Sequence, residues 1–357
     1  MASLLRRGLD YLSPSASPAP SPQIPNFEAG DDPKPPKPIA QFTTASTPTT
    51  LFTLVDKAVD GEDCDHDCAS CTIKYPAKFS IDYDDELYGH VKGWMTHILV
   101  ATGKTDWVRD VADEKGSVME AIGKGGISPS SGPMKLSASN MPVPDEYYHH
   151  PEGEQPTTVL LLPAFTIIDH VTPALVPDLI KHFVDLAPTT TSPLTGTPQK
   201  AEREEPTELA IPDSNAADPS SLDLTQLTQS LPTSLHSRPC PHAAVILLCS
   251  QKTRDARCGQ SAPLLRREFE RHLRPLVYRR RDFEWFKRQN HDSEKECEAS
   301  KTGTGQNEGA AQGIWLARVR PEDCEGIVKF TVLQGKVVKP GLQLRGGFDR
   351  EKGLISW

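Results

Sequence analysis

The chain has 357 residues and a formal charge of −9, with 33 prolines and only 6% aromatic residues. That length fits two domains of ~100–200 residues, or one domain with long linkers, and the proline-rich, aromatic-poor composition keeps much of the chain out of a packed core. The acidic balance argues against a general binder of nucleic acid or anionic membrane, and no apolar run reaches the ~20 residues that cross a bilayer.

The opening stretch, residues 1–50, reads as a disordered N-terminus rich in Pro, Ser and Thr. On a helix, Met1, Leu5, Leu9 and Leu12 would share one face with Arg6 and Arg7 opposite, the pattern of a mitochondrial transit peptide. An ordinary unstructured N-terminus explains the same residues. A first α/β region is expected over 51–187. Its strands are "THILVATG" from Thr96 and "TTVLLLPAFTII" from Thr157. Its helices are "DWVRDVADEKGSVMEAI" from Asp106 and "TPALVPDLIKHFVDLA" from Thr172, the second capped by Thr172 with Pro173 in its first turn.

Residues 188–239 carry no periodicity and read as a disordered linker. A second folded region is expected over 240–357. There "HAAVILLCS" reads as a buried strand, followed by a helix with Ser261 as its N-cap and Leu265, Phe269 and Leu273 stacked on one face. "RRDFEWFKR" from Arg280 reads as a further short helix, "GIWLARV" from Gly313 as a strand, and the segment from Pro321 to Gly335 as a helix. Strands alternating with helices predict an α/β fold class.

Eight cysteines in a chain of this length are too sparse for a disulfide-built secreted domain, which places the thiols in a reducing compartment. Cys249 and Cys258 flank one polar loop between the apolar run and the helix. The carboxyl end of a buried strand is where α/β folds place sites. Lys252, Arg254, Arg257 and the following helix N-terminus would favour thiolates there. A metal site, a redox pair and two unrelated cysteines all fit this spacing. Cys64, Cys68 and Cys71 in "CDHDCASC" form a second thiol group, including one C-x-x-C. Asp63, Asp65 and Asp67 would raise thiol pKa values there, which a bound metal would offset. Cys324 reads as a core residue, Cys297 as an exposed one, and Cys240 as a remote substitute ligand.

The wording of several segments resembles the sucrase/ferredoxin-like family, in a fungal mitochondrial form. These are "LLCSQKTRDARCGQSAPLLRREFERHLRPL", "CDHDCASCTIKYPAKF", "THILVATGKTDWVRDV", "GIWLARVRPEDCEGIV" and "LQLRGGFDREKGLISW", together spanning roughly 60–186 and 240–357. The resemblance implies a thioredoxin-like C-terminal domain and a [2Fe–2S] cluster held by two Cys at C-x8-C spacing and two His of a downstream H-x-G-G-H. Cys249 and Cys258 match the first half of that motif, and the second half is absent. His236, His242, His272 and His291 do not match it, and His272 reads as a surface or half-buried helix residue. A segment is expected to be missing near Leu276–Val277. Two imidazoles in place of two thiolates would raise the cluster potential and couple protons to electrons.

The family implies an electron carrier with a redox partner protein rather than a catalyst. No pair of carboxylates supports glycoside hydrolysis. Two other readings stay open: a thiol–disulfide protein, and a cluster-less chain from a truncated gene model. The basic run from Arg266 to Arg288 is interleaved with acids and reads as a solvated face or a docking patch for an acidic partner. The last residues, Ile355, Ser356 and Trp357, resemble a tripeptide that recruits iron–sulfur assembly machinery, or form a packed terminus. The first of these implies a cytosolic loading step, against the mitochondrial location implied by the family and the N-terminus.

Overall fold

The computed structural model describes residues 42–151, 153–194, 234–289 and 308–357, with 277–289 described by backbone alone. Positions 1–41 of the N-terminal stretch read as a transit peptide or an unstructured tail, positions 195–233 of the expected linker over 188–239, Cys297 and the side chains of Arg279, Arg280 and Arg281 lie outside the described residues.

In chain order the strands are β1 (Thr43–Thr44), β2 (Thr96–Ala101), β3 (Met134–Ser139), β4 (Thr157–Leu162), β5 (Thr166–Val171), β6 (His236–Pro239), β7 (Gln312–Leu316), β8 (Leu344–Asp349) and β9 (Leu354–Ser356). The helices are α1 (Pro48–Leu51), α2 (Lys57–Asp60), α3 (Val118–Lys124), α4 (Val176–Leu179), α5 (Ala256–Gln289), α6 (Cys324–Gly326) and α7 (Pro340–Gln343). Wide turns over Ile180–Val184 and Ile327–Val332 prolong α4 and α6. The fold class is α/β, with two mixed sheets.

The larger sheet has the order β3-β2-β4-β5-β6. β2 and β3 run parallel across α3, while β4 and β5 form an antiparallel hairpin beside β2. A β-α-β crossover is thus followed by a hairpin and a closing helix. Both central strands are buried along their length because side chains alternate between two covered faces. Ile98, Val100, Val159 and Leu161 point toward α3 and α4, where Val118, Ile122, Leu179 and Val184 meet them. Leu99, Leu160 and Leu162 fill the opposite face with Phe165, Ile167 and Val245.

The smaller sheet has the order β1-β9-β8-β7 and ties the start of the described chain to its end. Gly346 and Gly347 of β8 have φ of 151° and 150°, which side chains avoid, and a Cβ on Gly347 would lie 2.0 Å from the Gly313 carbonyl oxygen. The pair therefore lets β7 and β8 pass backbone to backbone. Ile355 and Ser356 are strand residues, and the Trp357 ring packs 5.6 Å from Trp94 and 6.4 Å from both Trp315 and Phe348. Ile355 and Ser356 of the terminal tripeptide thus lie in the sheet, and Trp357 packs beside it.

Several segments differ from the sequence reading. "TTVLLLPAFTII", expected as one strand, is the antiparallel hairpin of β4 and β5. Thr43–Thr44, inside the expected disordered N-terminus, and Pro48–Leu51, at its end, form β1 and α1, and His236–Pro239, inside the expected linker over 188–239, pairs with β5 as β6. "HAAVILLCS" is extended but belongs to no described sheet, and Leu247 is 49% exposed. Its alternation survives, with Val245 on the large sheet and Ile246 and Leu248 on the α5 cluster. The helix expected from Asp106 begins only at Val118, because Ser117 Oγ accepts the Glu120 amide and caps it there. The cap of α5 is Asp255, whose carboxylate accepts the Arg257 amide at 2.9 Å; Ser261 lies one turn inside. The expected helix at Arg280 is the continuation of α5.

Candidate redox and metal sites

Residues 250–253 are clamped onto the loop that follows β2. Ser250 Oγ donates to the Thr105 carbonyl at 2.7 Å, and Gln251 Nε2 donates to the Val108 carbonyl at 2.6 Å. Asp106 receives the Thr253 amide at 3.0 Å and its hydroxyl at 2.8 Å, and these bonds hold the Asp106 carboxyl below its usual range. The chain then turns into α5, and Cys258 falls in the first turn. Gly259 follows it because a Cβ there would lie 2.5 Å from Lys252 Cβ and 3.2 Å from its Cα. Loop and helix can therefore touch only at a glycine.

This clamp brings Cys249 and Cys258 together, with their Sγ atoms 3.3 Å apart. Cys249 is exposed and Cys258 half-buried. Burial, and then the Cys249 thiol beside it, push Cys258 up to about 12, while Arg257 opposes this only weakly. The expected stabilisation of a thiolate by nearby cations and the helix start is thus outweighed at Cys258. Arg257 is occupied by Asp255, which it contacts through Nε at 3.2 Å and Nη2 at 2.9 Å. Lys135 of β3 is the cation whose field reaches Cys249, and its ammonium lies 4.0 Å from the centre of the Trp315 ring.

The second thiol group is split by the fold. Cys64 is buried by itself near α2. Cys68 and Cys71 face α5 and α6: the Cys68 amide donates to the Glu322 carbonyl at 2.9 Å, and Cys71 Sγ donates to the Ile73 carbonyl at 3.2 Å. The expected acidic cage is dismantled by ion pairs. Asp67 binds Arg320 at 2.8 Å and Lys339, and Asp65 binds Lys57 at 3.2 Å. Cys71 is raised mainly by burial, with Glu268 and Cys68 adding to it.

His272 and Glu325 join this group from the two helices. One ligand atom each from Cys68, His272 and Glu325 lie within 4.8 Å of one another. In the sequence His272 reads as a surface or half-buried helix residue and Glu325 is not singled out, since no local spacing links positions 68, 272 and 325. The C-x-x-C at Cys68 and Cys71 was the one available signal. Cys324 is fully buried against Leu265, Phe269, Ile327 and Val328, as a core residue.

A four-ligand iron–sulfur cluster can be tested against the first site. Two thiolates on one tetrahedral metal at ~2.3 Å stand roughly 3.8 Å apart, so the 3.3 Å pair suits two ligands of one ion. Among the described residues no His, Cys, Asp or Glu joins Cys249 and Cys258 in a third-ligand cluster. The residues present therefore fit half of a cluster's ligand set and not the whole. They equally fit a disulfide, which needs the sulfurs to close by ~1.3 Å.

The family model for sucrase/ferredoxin-like proteins matches residues 87–346, nearly three quarters of the chain. Altered inheritance of mitochondria protein 32 of Clavispora lusitaniae is 31% identical over 98 residues, covering 28% of this chain and 33% of that protein. The protein of the same name from Meyerozyma guilliermondii is 26% identical over 125 residues, covering 31% of this chain and 35% of that protein. The chain thus spans about a third of the length of the curated relatives it matches. No solved structure matches it.

Proposed function

The chain belongs to the sucrase/ferredoxin-like family, and on that premise we propose that it is a redox protein whose electron-bearing site is built on the thiols of Cys249 and Cys258. The observation that carries this is the 3.3 Å approach of the two sulfurs on a clamped loop. It is a carrier rather than a catalyst of hydrolysis.

The pair by itself supports dithiol–disulfide exchange. Cys249 is the accessible sulfur and attacks, as thiolate, the disulfide of a partner protein or of oxidised glutathione. One partner thiolate leaves and a mixed disulfide forms. Cys258 then gives up its proton and attacks Cys249 Sγ, releasing the second partner thiol. Two electrons and two protons pass to the partner, and the chain holds one Cys249–Cys258 disulfide.

A second reading is favoured by the family and by the C-x8-C spacing: the same thiols hold a [2Fe–2S] cluster, which would carry one electron at a time. Two further donors are then needed from glutathione, a second copy or a partner chain. A third is that this chain is a cluster-less form of a longer protein lacking a segment near Leu276–Val277. The names of the relatives support a mitochondrial location, with a cytosolic one as the alternative. Among the described residues no helix is long and apolar enough to cross a membrane. Recruitment of assembly machinery through Ile355, Ser356 and Trp357 would require the strand end to leave the sheet.

The deciding experiment is purification without oxygen, with assay of iron, acid-labile sulfide and electron paramagnetic resonance, followed by thiol titration in glutathione buffers. A reversible loss of two thiols together, abolished in C249S and in C258S, supports dithiol exchange. Stoichiometric iron and sulfide supports the cluster. Neither result in a folded chain refutes the redox reading.

A further inference from the structure

The pair on the clamped loop leaves the second thiol group unused, and that group has the donors of a different site. We propose that Cys68, His272 and Glu325, with Cys71 as fourth donor, bind a zinc-type divalent ion that fastens the N-terminal cysteine loop to α5 and α6. The inference stands apart from the redox reading, because it shares no residue with it.

Donors at positions 68, 272 and 325 converge until their ligand atoms lie within 4.8 Å of each other. Around a tetrahedral ion with bonds of ~2.0–2.3 Å, such atoms stand roughly 3.3–3.8 Å apart. A contraction of ~1 Å is within the reach of rotamer adjustment in Glu325, which is exposed. Cys71 sits at C-x-x-C spacing from Cys68; its Sγ donates to the Ile73 carbonyl at 3.2 Å and must swing from it to join the three converging atoms. Sulfur, imidazole and carboxylate in one set select a borderline-soft ion, against calcium and magnesium, which take oxygen alone.

Two local contacts support the assignment. Arg271 Nη2 lies 3.0 Å from His272 Nε2 and 3.6 Å from Cys68 Sγ. A guanidinium only donates, so Nε2 must be the accepting nitrogen of a neutral ring. Its lone pair, the one a metal uses, already faces a cation beside the Cys68 sulfur. Arg271 is also held from the other side, through Nε to Glu268 at 2.8 Å and through Nη1 to Ser70 at 3.2 Å. Nη2 itself also reaches Glu268 Oε2 at 2.7 Å, and Glu268 is only 1% exposed, so the guanidinium must turn about that carboxylate to leave His272 and Cys68. Three anionic ligands and a divalent ion carry a net charge of −1, which the neighbouring guanidinium balances. Ligation releases the two thiol protons to solvent.

The test uses the full chain carrying C249S and C258S, so that the redox pair contributes no ligand and the two proposals fail separately. Metal-free protein is titrated with cobalt(II), then with zinc(II). One equivalent of cobalt should bind, with a thiolate-to-cobalt charge-transfer band and the intense visible bands of tetrahedral geometry, and zinc should displace it. C68S and H272A should each weaken zinc at least about 10- to 100-fold, the loss seen even for outer partners of metal ligands. Should C68S fail to fold, E325Q decides, since its side chain is exposed and its metal-free melting temperature should equal the parent's. Zinc should raise the parent's melting temperature more than that of E325Q. Octahedral cobalt spectra, no stoichiometric binding, or parental zinc affinity in both folded H272A and E325Q would overturn the site.

Discussion

Replacing Gly259 by Ala should damage the Cys249/Cys258 pair without touching either sulfur. The new methyl would lie 2.5 Å from Lys252 Cβ, 2.9 Å from its Cγ and 3.2 Å from its Cα, where carbon atoms prefer ~3.5–4.0 Å. These atoms belong to the root of the side chain and to the backbone, so no rotamer relieves the clash. The loop cannot simply retreat, because Ser250, Gln251 and Thr253 bind it to the loop after β2. Either one or two of those bonds break, at about 1 kcal/mol each, or the first turn of α5 rotates and carries Cys258 away from Cys249. The expected loss of stability is about 1–3 kcal/mol, the usual range for overpacking. The pair's equilibrium with glutathione should shift at least about tenfold toward the dithiol, the equivalent of ~1.4 kcal/mol. Gly341 is the control, since a Cβ there meets nothing within 4 Å and Gly341→Ala should be neutral or slightly stabilising. Thermal melts followed by circular dichroism, and thiol counting in glutathione buffers, give both quantities. If Gly259→Ala melts and oxidises like the parent, the packing account of the loop is wrong.

Oxidising the Cys249/Cys258 pair closes a short loop and should stabilise the chain by up to about 3 kcal/mol on the chain-entropy estimate; a melting temperature that falls on oxidation would show that the native geometry opposes the bond. Asp323 is 4% exposed and binds Lys339 Nζ at 2.6 Å and the Arg320 backbone amide at 2.7 Å. Asp323→Ala should cost about 3–5 kcal/mol in denaturant unfolding, as expected when a buried partner is removed, whereas a loss below 1 kcal/mol would mean the network is solvated. His97 is buried, with Nε2 2.9 Å from Ser137 Oγ, and burial pushes its pKa down to about 3. The unfolded chain therefore binds one more proton than the folded chain between pH 6.5 and 3. Stability from this group is complete above pH 6.5 and should fall by about 1.4 kcal/mol per pH unit below it. His97→Gln should lose that one-proton slope, and an unchanged slope in the variant would assign the acid sensitivity elsewhere.

The parts of the fold legible in the sequence are those where neighbouring residues decide the outcome. "THILVA" and "TTVLLL" are uninterrupted apolar runs, and each becomes a strand buried on both faces. Pro173 and Pro321 mark the starts of turns that lead into helices. The proximity of Cys249 to Cys258 was suggested by one polar loop, but its cause was not: the clamp comes from Asp106 and the carbonyls of Thr105 and Val108, far away in sequence. His272 shows the opposite limit. Its pattern on α5 is that of an unremarkable half-buried residue, and its meaning arises only when Cys68 and Glu325 arrive from other elements. The acids around Cys68 misled for the same reason, since Lys57, Arg320 and Lys339 that neutralise them lie outside the motif or at the far end of the chain.

The stretch from Ala243 to Cys249 ties these observations together. Six apolar residues precede Cys249, and an apolar run of this kind normally lies inside a sheet. Here, among the described residues, no backbone hydrogen bond joins it to a neighbouring strand. Backbone amides and carbonyls away from water need partners, so this segment has the side chains of a central strand and the hydrogen bonding of a loop. Its neighbours on both sides are side chains alone, Phe269 and Leu273 on one and the large sheet on the other. A missing segment near Leu276–Val277 would account for both deficits at once. It would supply the strand that this backbone lacks and the two histidines that the thiol pair lacks. A transcript with a longer reading frame across that junction, encoding an H-x-G-G-H, would make the cluster reading the stronger one. An uninterrupted junction leaves Cys249 and Cys258 as a dithiol pair held by the clamp alone.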